Sequence, residues 1–269
     1  MKRLILAAVA AAGMMGAAHA ATAADDALQA AIAGTSRTPA NVARDVYRHP
    51  YETLSFFGIK PNMTVVELVP GGGWYTEILA PYLRANGRYI GAGTPADPVK
   101  RTGMAFKNKL DSNPAVYDKA VTGVFAPPSN YNIAPAGSAD MVLTFRNVHN
   151  WIEGGDAQMV AVFKQMYTVL KPGGVLGVVY HRLPEKATQD ATASSGYVKE
   201  SYVIGIAEKA GFKLVAKSDI NANPKDNAEH KKGVWALPPT YANRDEDRAA
   251  YQAIGESDRM TLKFVKPAK

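Results

Sequence analysis

Thr64-Val65-Val66-Glu67-Leu68-Val69-Pro70-Gly71-Gly72-Gly73-Trp74 decides how the chain is read. Residues 64–69 are almost continuously apolar and rich in β-branched side chains, the pattern of a strand covered on both faces. Three glycines follow, which let the backbone turn sharply and approach a ligand without interference from Cβ. Glu67 falls at the carboxyl end of this first strand, where open α/β sheets bind their ligands, so a nucleotide-type cofactor is the natural occupant.

Downstream, Tyr75, Ile78, Leu79, Tyr82 and Leu83 share one helical face, with Pro81 expected to kink or shorten the helix. Residues 88–92 read as a second strand, 97–110 as a weak helix and 121–125 as a third strand, followed by a loop rich in Pro, Ser, Asn and Gly. A fourth strand over 140–144 leads to a helix from near Asp156, which Lys171-Pro172-Gly173-Gly174 stops. The fully apolar run Val175–Tyr180 is a fifth strand. Val203, Ile206, Ala207 and Ala210 mark another helix, capped by Gly211, before a sixth strand at 212–216. Residues 260–264 alternate with period two as a last, half-exposed strand. Alternating strands and helices indicate a Rossmann-like α/β fold, a doubly wound and mostly parallel seven-stranded sheet with an antiparallel last strand. Residues 217–258 form a long insertion before that strand, of a length that is usually functional or disordered.

Upstream, Thr38-Pro39 reads as an N-cap and first helical residue. Arg44 and Arg48 lie one turn apart, as do Asp45 and His49. A helix from Pro50 ends at Gly58, and these segments are expected to cover the binding edge of the sheet. The arginines read as ion-pair partners, with ligand contact as the alternative. Residues 21–36 look like an alanine-rich linker or a loosely held helix. Residues 1–20 have a basic start at Lys2-Arg3, a short apolar run and Ala18-His19-Ala20, the marks of a secretory signal peptide. A periplasmic or secreted location follows, and no later segment is apolar enough to suggest a membrane span.

Cleavage after residue 20 of 269 leaves 249 residues, enough for one α/β domain spanning 37–269 after the linker. It also removes two basic residues, so the net charge of +7 becomes +5. That charge is spread without a dense basic cluster, which argues against nucleic-acid binding. The chain has no cysteine, so disulfides, thiolate metal sites and a cysteine nucleophile are excluded. No Gly-x-Ser-x-Gly elbow supports a serine hydrolase.

The strand–Glu67–glycine turn, Ser138-Ala139-Asp140, Leu170-Lys171-Pro172-Gly173-Gly174 and Ala210-Gly211-Phe212 occur in the order found in class I S-adenosylmethionine-dependent methyltransferases. The chain resembles that superfamily over about residues 50–265. More narrowly it resembles a group of bacterial, often exported, predicted methyltransferases with an arginine-rich helix before the first strand and a histidine after the fourth. The resemblance implies methyl transfer from S-adenosylmethionine to an O or N atom of a small-molecule acceptor. It implies a cofactor site at Glu67, Val69, Gly71, Gly72, Gly73, Thr94 and Asn147. Glu67 corresponds to the acid that organises the glycine turn and the cofactor's amino group, and the glycines lie under its methionine portion. The 217–258 insertion is expected to fold over the site as a lid.

Three positions depart from the pattern. Val69 stands where a glycine is usual. Gly93 and Thr94 replace the acid that holds the ribose, and Phe125-Ala126-Pro127-Pro128 replaces the acid near the adenine. Charge-assisted bonds contribute ~1.5–3 kcal/mol each, so affinity is expected to be lower by one to two orders of magnitude, or the ligand differs. The missing second-strand acid and the incomplete glycine fingerprint also count against a nicotinamide dehydrogenase.

For chemistry, His149 and His181 should both emerge at the carboxyl edge of the sheet. A neutral imidazole there can take a proton from a hydroxyl or amine acceptor, and His149 is the preferred general base. The alternative for each is a hydrogen bond to loop backbone. Trp151 or Tyr180 is expected to shape an aromatic pocket. His149, His181, Asp226 and His230 have no metal-motif spacing, and no metal is assigned. A non-catalytic exported binding or sensor protein on the same fold is the second reading, and metal-assisted chemistry at the histidines a weaker third.

Overall fold

The structure is a computed structural model and describes residues 23–99, 101 and 103–268. The signal peptide read at 1–20 lies outside the described residues.

The chain opens with α1 (23–32), α2 (Pro39–Val42), α3 (Asp45–Arg48) and α4 (Pro50–Phe57). Next come β1 (Thr64–Leu68), α5 (Thr76–Leu83), β2 (Arg88–Gly93), α6 (Met104–Asp111), α7 (Pro114–Tyr117), β3 (Val121–Ala126) and β4 (Asn130–Asn132). The second half holds β5 (Ala139–Phe145), α8 (Gly155–Val169), β6 (Leu170–Leu183), β7 (Val198–Lys199), α9 (Glu200–Lys209), β8 (Lys213–Ser218), α10 (Arg248–Ile254) and β9 (Arg259–Val265).

The strands lie in the order β4-β3-β2-β1-β5-β6-β9-β8, with β7 pairing the end of β6. β3, β2, β1, β5 and β6 run parallel, while β9 inserts antiparallel between β6 and β8. This is the expected Rossmann-like sheet with two short strands added. β4 folds back antiparallel on β3, and β7 is a two-residue addition. From β1 the chain winds outward through β2 and β3, then returns to place β5 on the other side of β1. The carboxyl ends of β1 and β5 therefore flank the switch point where such sheets open a crevice.

The nearly unbroken apolar sequence of β1 is explained by two cores. Val66 and Leu68 face one, built with Met159, Val162 and Phe163 of α8 and Val203 and Ile206 of α9. Val65 faces the other, with Leu54 and Phe57 of α4 and Ile78 and Leu79 of α5. Leu28 of α1 is buried in this second core, so part of the expected linker is a packed helix. Its alanine-rich sequence hides the buried anchor Leu28, with Ile32 packing beside it at partial burial.

Two local expectations change. The first helical segment is broken into α2 and α3 between Val42 and Asp45, and His49, with a left-handed φ of 42°, then separates α3 from the expected helix at Pro50. Lys171-Pro172-Gly173-Gly174 does follow the end of α8 at Val169, but the strand expected from Val175 already starts before it, with Leu170 of β6 opposite Ala139. Among the described residues no helix is long and apolar enough to cross a membrane.

Candidate active site

A cavity of about 350 Å³ opens at the switch point. Val69, Pro70, Gly71 and Gly72 enter it from the end of β1, and Phe145, Arg146, Asn147 and His149 from the end of β5. Asn41 and Arg44 line it from the amino-terminal segment, so the early helices do cover the binding edge. Val234, Trp235, Leu237, Pro238, Pro239 and Thr240 form a further wall. The insertion thus folds over the site, as the resemblance implied.

The glycine turn keeps its conformation despite the departure at Val69. Val69 has φ 50° and its N–H donates to Ala92 O at 2.7 Å. A left-handed conformation costs an L-residue about 1–2 kcal/mol, which explains why glycine would be the easier choice there. Gly71 has φ 59°, and a Cβ at Gly71 or Gly72 would meet nothing within 4 Å. Both therefore present bare backbone to the cavity. Gly73 does not line it. Its Cβ position points at Lys109 Cγ, 2.7 Å away, so its role is to admit α6.

Glu67 sits beneath the turn, only 3% exposed. Its Oε2 accepts hydrogen bonds from Thr76 Oγ1 at 2.9 Å and the Tyr89 hydroxyl at 2.7 Å, while Oε1 has no hydrogen-bond partner among the described residues. Burial raises the carboxyl pKa to about 7, against the opposing pull of those two hydroxyls. Asn147 spends its amide donor on Leu68 O at 3.0 Å, tying the ends of β1 and β5 together, and also lines the cavity. Thr94 is elsewhere. It faces a separate cavity beneath α6 with Gly91, Gly93 and Phe106.

His149 and His181 both line the main cavity. Tyr180 sets the tautomer of His149. Its hydroxyl donates to Gly196 O at 2.6 Å, and a carbonyl can only accept. The phenolic proton is thereby used, so His149 Nδ1, 2.9 Å from the same oxygen, must be the donor, as is the His149 backbone N–H at 3.1 Å. In neutral His149 this leaves Nε2 as the basic nitrogen. Burial and the charge of Arg146 lower its pKa from 6.5. His181 is more deeply placed, with Nδ1 2.6 Å from Ser257 Oγ, and burial together with Arg146 and Arg259 holds its pKa well below 6.5.

The aromatic expectations need correction. Trp151 is buried in the α8-side core, edge-on to Phe125, and Tyr180 is fully buried behind His149. Trp235 is the aromatic wall instead, with its ring edge-on to His149 at 5.6 Å. Tyr75 also lines the cavity and stacks on Phe145 at 3.5 Å. Asp226 and His230 bond to each other at 2.7 Å and do not line the cavity. Asp226 further accepts from the Tyr197 hydroxyl and the backbone N–H of Ala228 and Asp258, which pins the insertion to the body.

Sequence reasoning did not single out Arg146, Trp235 or Ser257. Glu256 is reached by Arg44 at 2.6 Å, Arg48 at 3.1 Å and Arg259 at 3.3 Å. Burial tends to raise its pKa, but Arg48, Arg259 and Arg44 outweigh it and hold the carboxyl at about 2. The ion-pair reading of Arg44 and Arg48 is therefore correct, and Arg44 lines the cavity as well.

Among solved structures, the chain is similar to a SAM-dependent methyltransferase from Aquifex aeolicus, with 15% identity, 83% of this chain and 93% of that chain covered, and a TM-score of 0.55. A geranyl diphosphate methyltransferase in complex with SAM matches at 12% identity, covering 88% of this chain and 94% of that one with a TM-score of 0.56. A 4+2 cyclase matches at 14% identity, covering 88% and 85% with a TM-score of 0.55. At these identities the likeness establishes the fold, which is that of class I methyltransferases. No protein-family model matches the chain, and no curated protein matches it.

Proposed function

We propose that this protein transfers a methyl group from S-adenosylmethionine to an O or N atom of a small-molecule acceptor. The observation that carries the reading is the meeting, in one cavity at the switch point, of the bare glycine turn, the Glu67 carboxylate and a correctly poised His149. S-adenosylmethionine, when bound, supplies an electrophilic methyl on a sulfonium. Glu67 Oε1 would receive the cofactor's ammonium, and Gly71 and Gly72 leave the space that a side chain would fill. His149 Nε2 takes the acceptor's proton, with Tyr180 fixing the ring. The lid residues Trp235, Leu237 and Pro238 exclude water from the reacting atoms.

The leader sequence gives this activity a periplasmic or secreted location. The acceptor-side test is transfer of isotopically labelled methyl from S-adenosylmethionine to a panel of small phenols, alcohols and amines. Labelled product from the native chain and not from His149→Gln supports the reading, whereas equal label from both removes His149 from it.

A second reading, an exported binding protein without turnover, is favoured by the same structure at one point. Thr94 stands apart from the cavity and Gly93 offers no carboxylate, so a ribose would lack its usual acidic partner. The cyclase relative is a reminder that this fold does not dictate the chemistry.

A further inference from the structure

Among the described residues Arg146 is a cavity-lining cation with no ion-pair partner in contact, and Glu256 attracts it only from beyond contact distance. Arg146 follows β5 directly, with φ 65° and its backbone N–H bonded to Val179 O at 2.8 Å, so the chain spends an unfavourable conformation to aim it. Among the described residues its side chain makes no hydrogen bond and no ion pair, yet it lines the cavity beside His149 and Asn147. The nearby carboxylate is already committed, since Glu256 is shared by Arg44, Arg48 and Arg259. Even so, Nη1 and Nη2 of Arg48 and Nη2 of Arg44 remain buried without partners. A partly buried guanidinium without an anion is costly, and planar bidentate pairing with a carboxylate or phosphate is what guanidinium does best.

We infer that the acceptor is an anion, a small molecule with an apolar body whose carboxylate or phosphate is held by Arg146. The apolar body follows from the wall that the insertion adds to the same cavity, Val234, Trp235, Leu237, Pro238 and Pro239. Arg146 lies three residues before His149, so an anion gripped there presents the rest of the molecule to the base. This rests on the cavity being the methyl-transfer site proposed above.

Calorimetry with benzoate, phenyl phosphate and neutral benzamide tests it, on the native chain, Arg146→Gln and Arg146→Lys, each with and without S-adenosylhomocysteine. Benzoate or phenyl phosphate should bind at least ~10-fold tighter than benzamide, and whichever is tighter identifies the anion. Arg146→Gln should erase that preference, and Arg146→Lys should keep part of it. Equal binding of anion and amide, or an unchanged preference in Arg146→Gln, overturns the inference. So does a selective loss of S-adenosylhomocysteine affinity in Arg146→Gln, because Arg146 would then hold the cofactor's own carboxylate. Failure of the native chain to bind S-adenosylhomocysteine while retaining the anion preference defeats the methyl-transfer reading and leaves the anion site standing.

Discussion

The Tyr180 hydroxyl stands 2.9 Å from His149 Nδ1 and 2.6 Å from the Gly196 carbonyl, and this relay decides which imidazole nitrogen is basic. Replacing His149 by Gln should lower kcat by about 10²-fold or more, the usual contribution of a general base. Tyr180→Phe should lower kcat by less, and it should also destabilise the fold by about 1–3 kcal/mol, because the Gly196 carbonyl and the His149 N–H lose their partner. Steady-state rates and thermal unfolding of both variants check this. A Tyr180→Phe variant with native rate and native Tm would contradict the relay.

The pH dependence of turnover follows from the same site. The base works unprotonated, and burial with Arg146 lowers the His149 pKa from 6.5. A lowered value extends activity to more acid conditions. With S-adenosylmethionine saturating, so that its ammonium holds Glu67 ionised, kcat/KM for the acceptor should therefore rise with pH through one ionisation below 6.5 and be level above pH 7. An ionisation above 7 assigned to His149 by its loss in His149→Gln would contradict the assignment.

Glu67 makes a separate pH prediction, of stability. Its pKa is raised from 4.5 to about 7, so the folded state retains a proton that the unfolded state has released. The neutral carboxyl is fully accommodated below pH 4.5, and stability is lost as pH rises from 4.5 through 7. Ionised Glu67 at pH 8 thus costs about 3 kcal/mol at most. Glu67→Gln should raise the Tm of the ligand-free protein at pH 8 and change it little at pH 4. The histidines act in the opposite sense, since their lowered values remove stability as pH falls below 6.5. Comparing variant with native at each pH cancels their contribution. The same Tm change at both pH values would contradict the burial argument.

Much of this fold could be read from residue pattern alone. The two-sided burial of β1 shows in its unbroken apolar run, and the α8 and α9 faces show in their 3.6-residue spacing, because both patterns are local. The insertion of β9 between β6 and β8 is not local, because its neighbours are decided by strand pairing and not by the pattern along its own residues. At the site, Glu67, Gly71, Gly72, Asn147 and the two histidines come together because each lies in the last residues of β1 or β6 or just beyond the end of β1 or β5, along the same edge. Thr94 and Gly73 were misplaced, since reading a motif does not say which way a turn faces. Arg146 and Trp235 carried no motif. Arg146 becomes notable only when Glu256, 110 positions later in the chain, proves to be taken by other arginines.

The lid has its own test. Asp226 is buried and accepts bonds from Tyr197, His230, Ala228 and Asp258, which outweigh the burial that would raise its pKa. Asp226→Asn should cost about 3 kcal/mol and accelerate amide exchange across residues 226–258. Exchange confined to the native pattern would show that the insertion is held by other contacts.

The most direct measurement is calorimetry of S-adenosylhomocysteine against the chain from Ala21 onward, beside Gly71→Arg. A Cβ at Gly71 meets nothing within 4 Å, so this variant should fold with about 1–2 kcal/mol of backbone strain while its side chain fills the space the ligand needs. The account predicts binding with a Kd on the order of 10 μM that the substitution abolishes. No heat up to roughly millimolar ligand, or equal binding by folded Gly71→Arg, would contradict it.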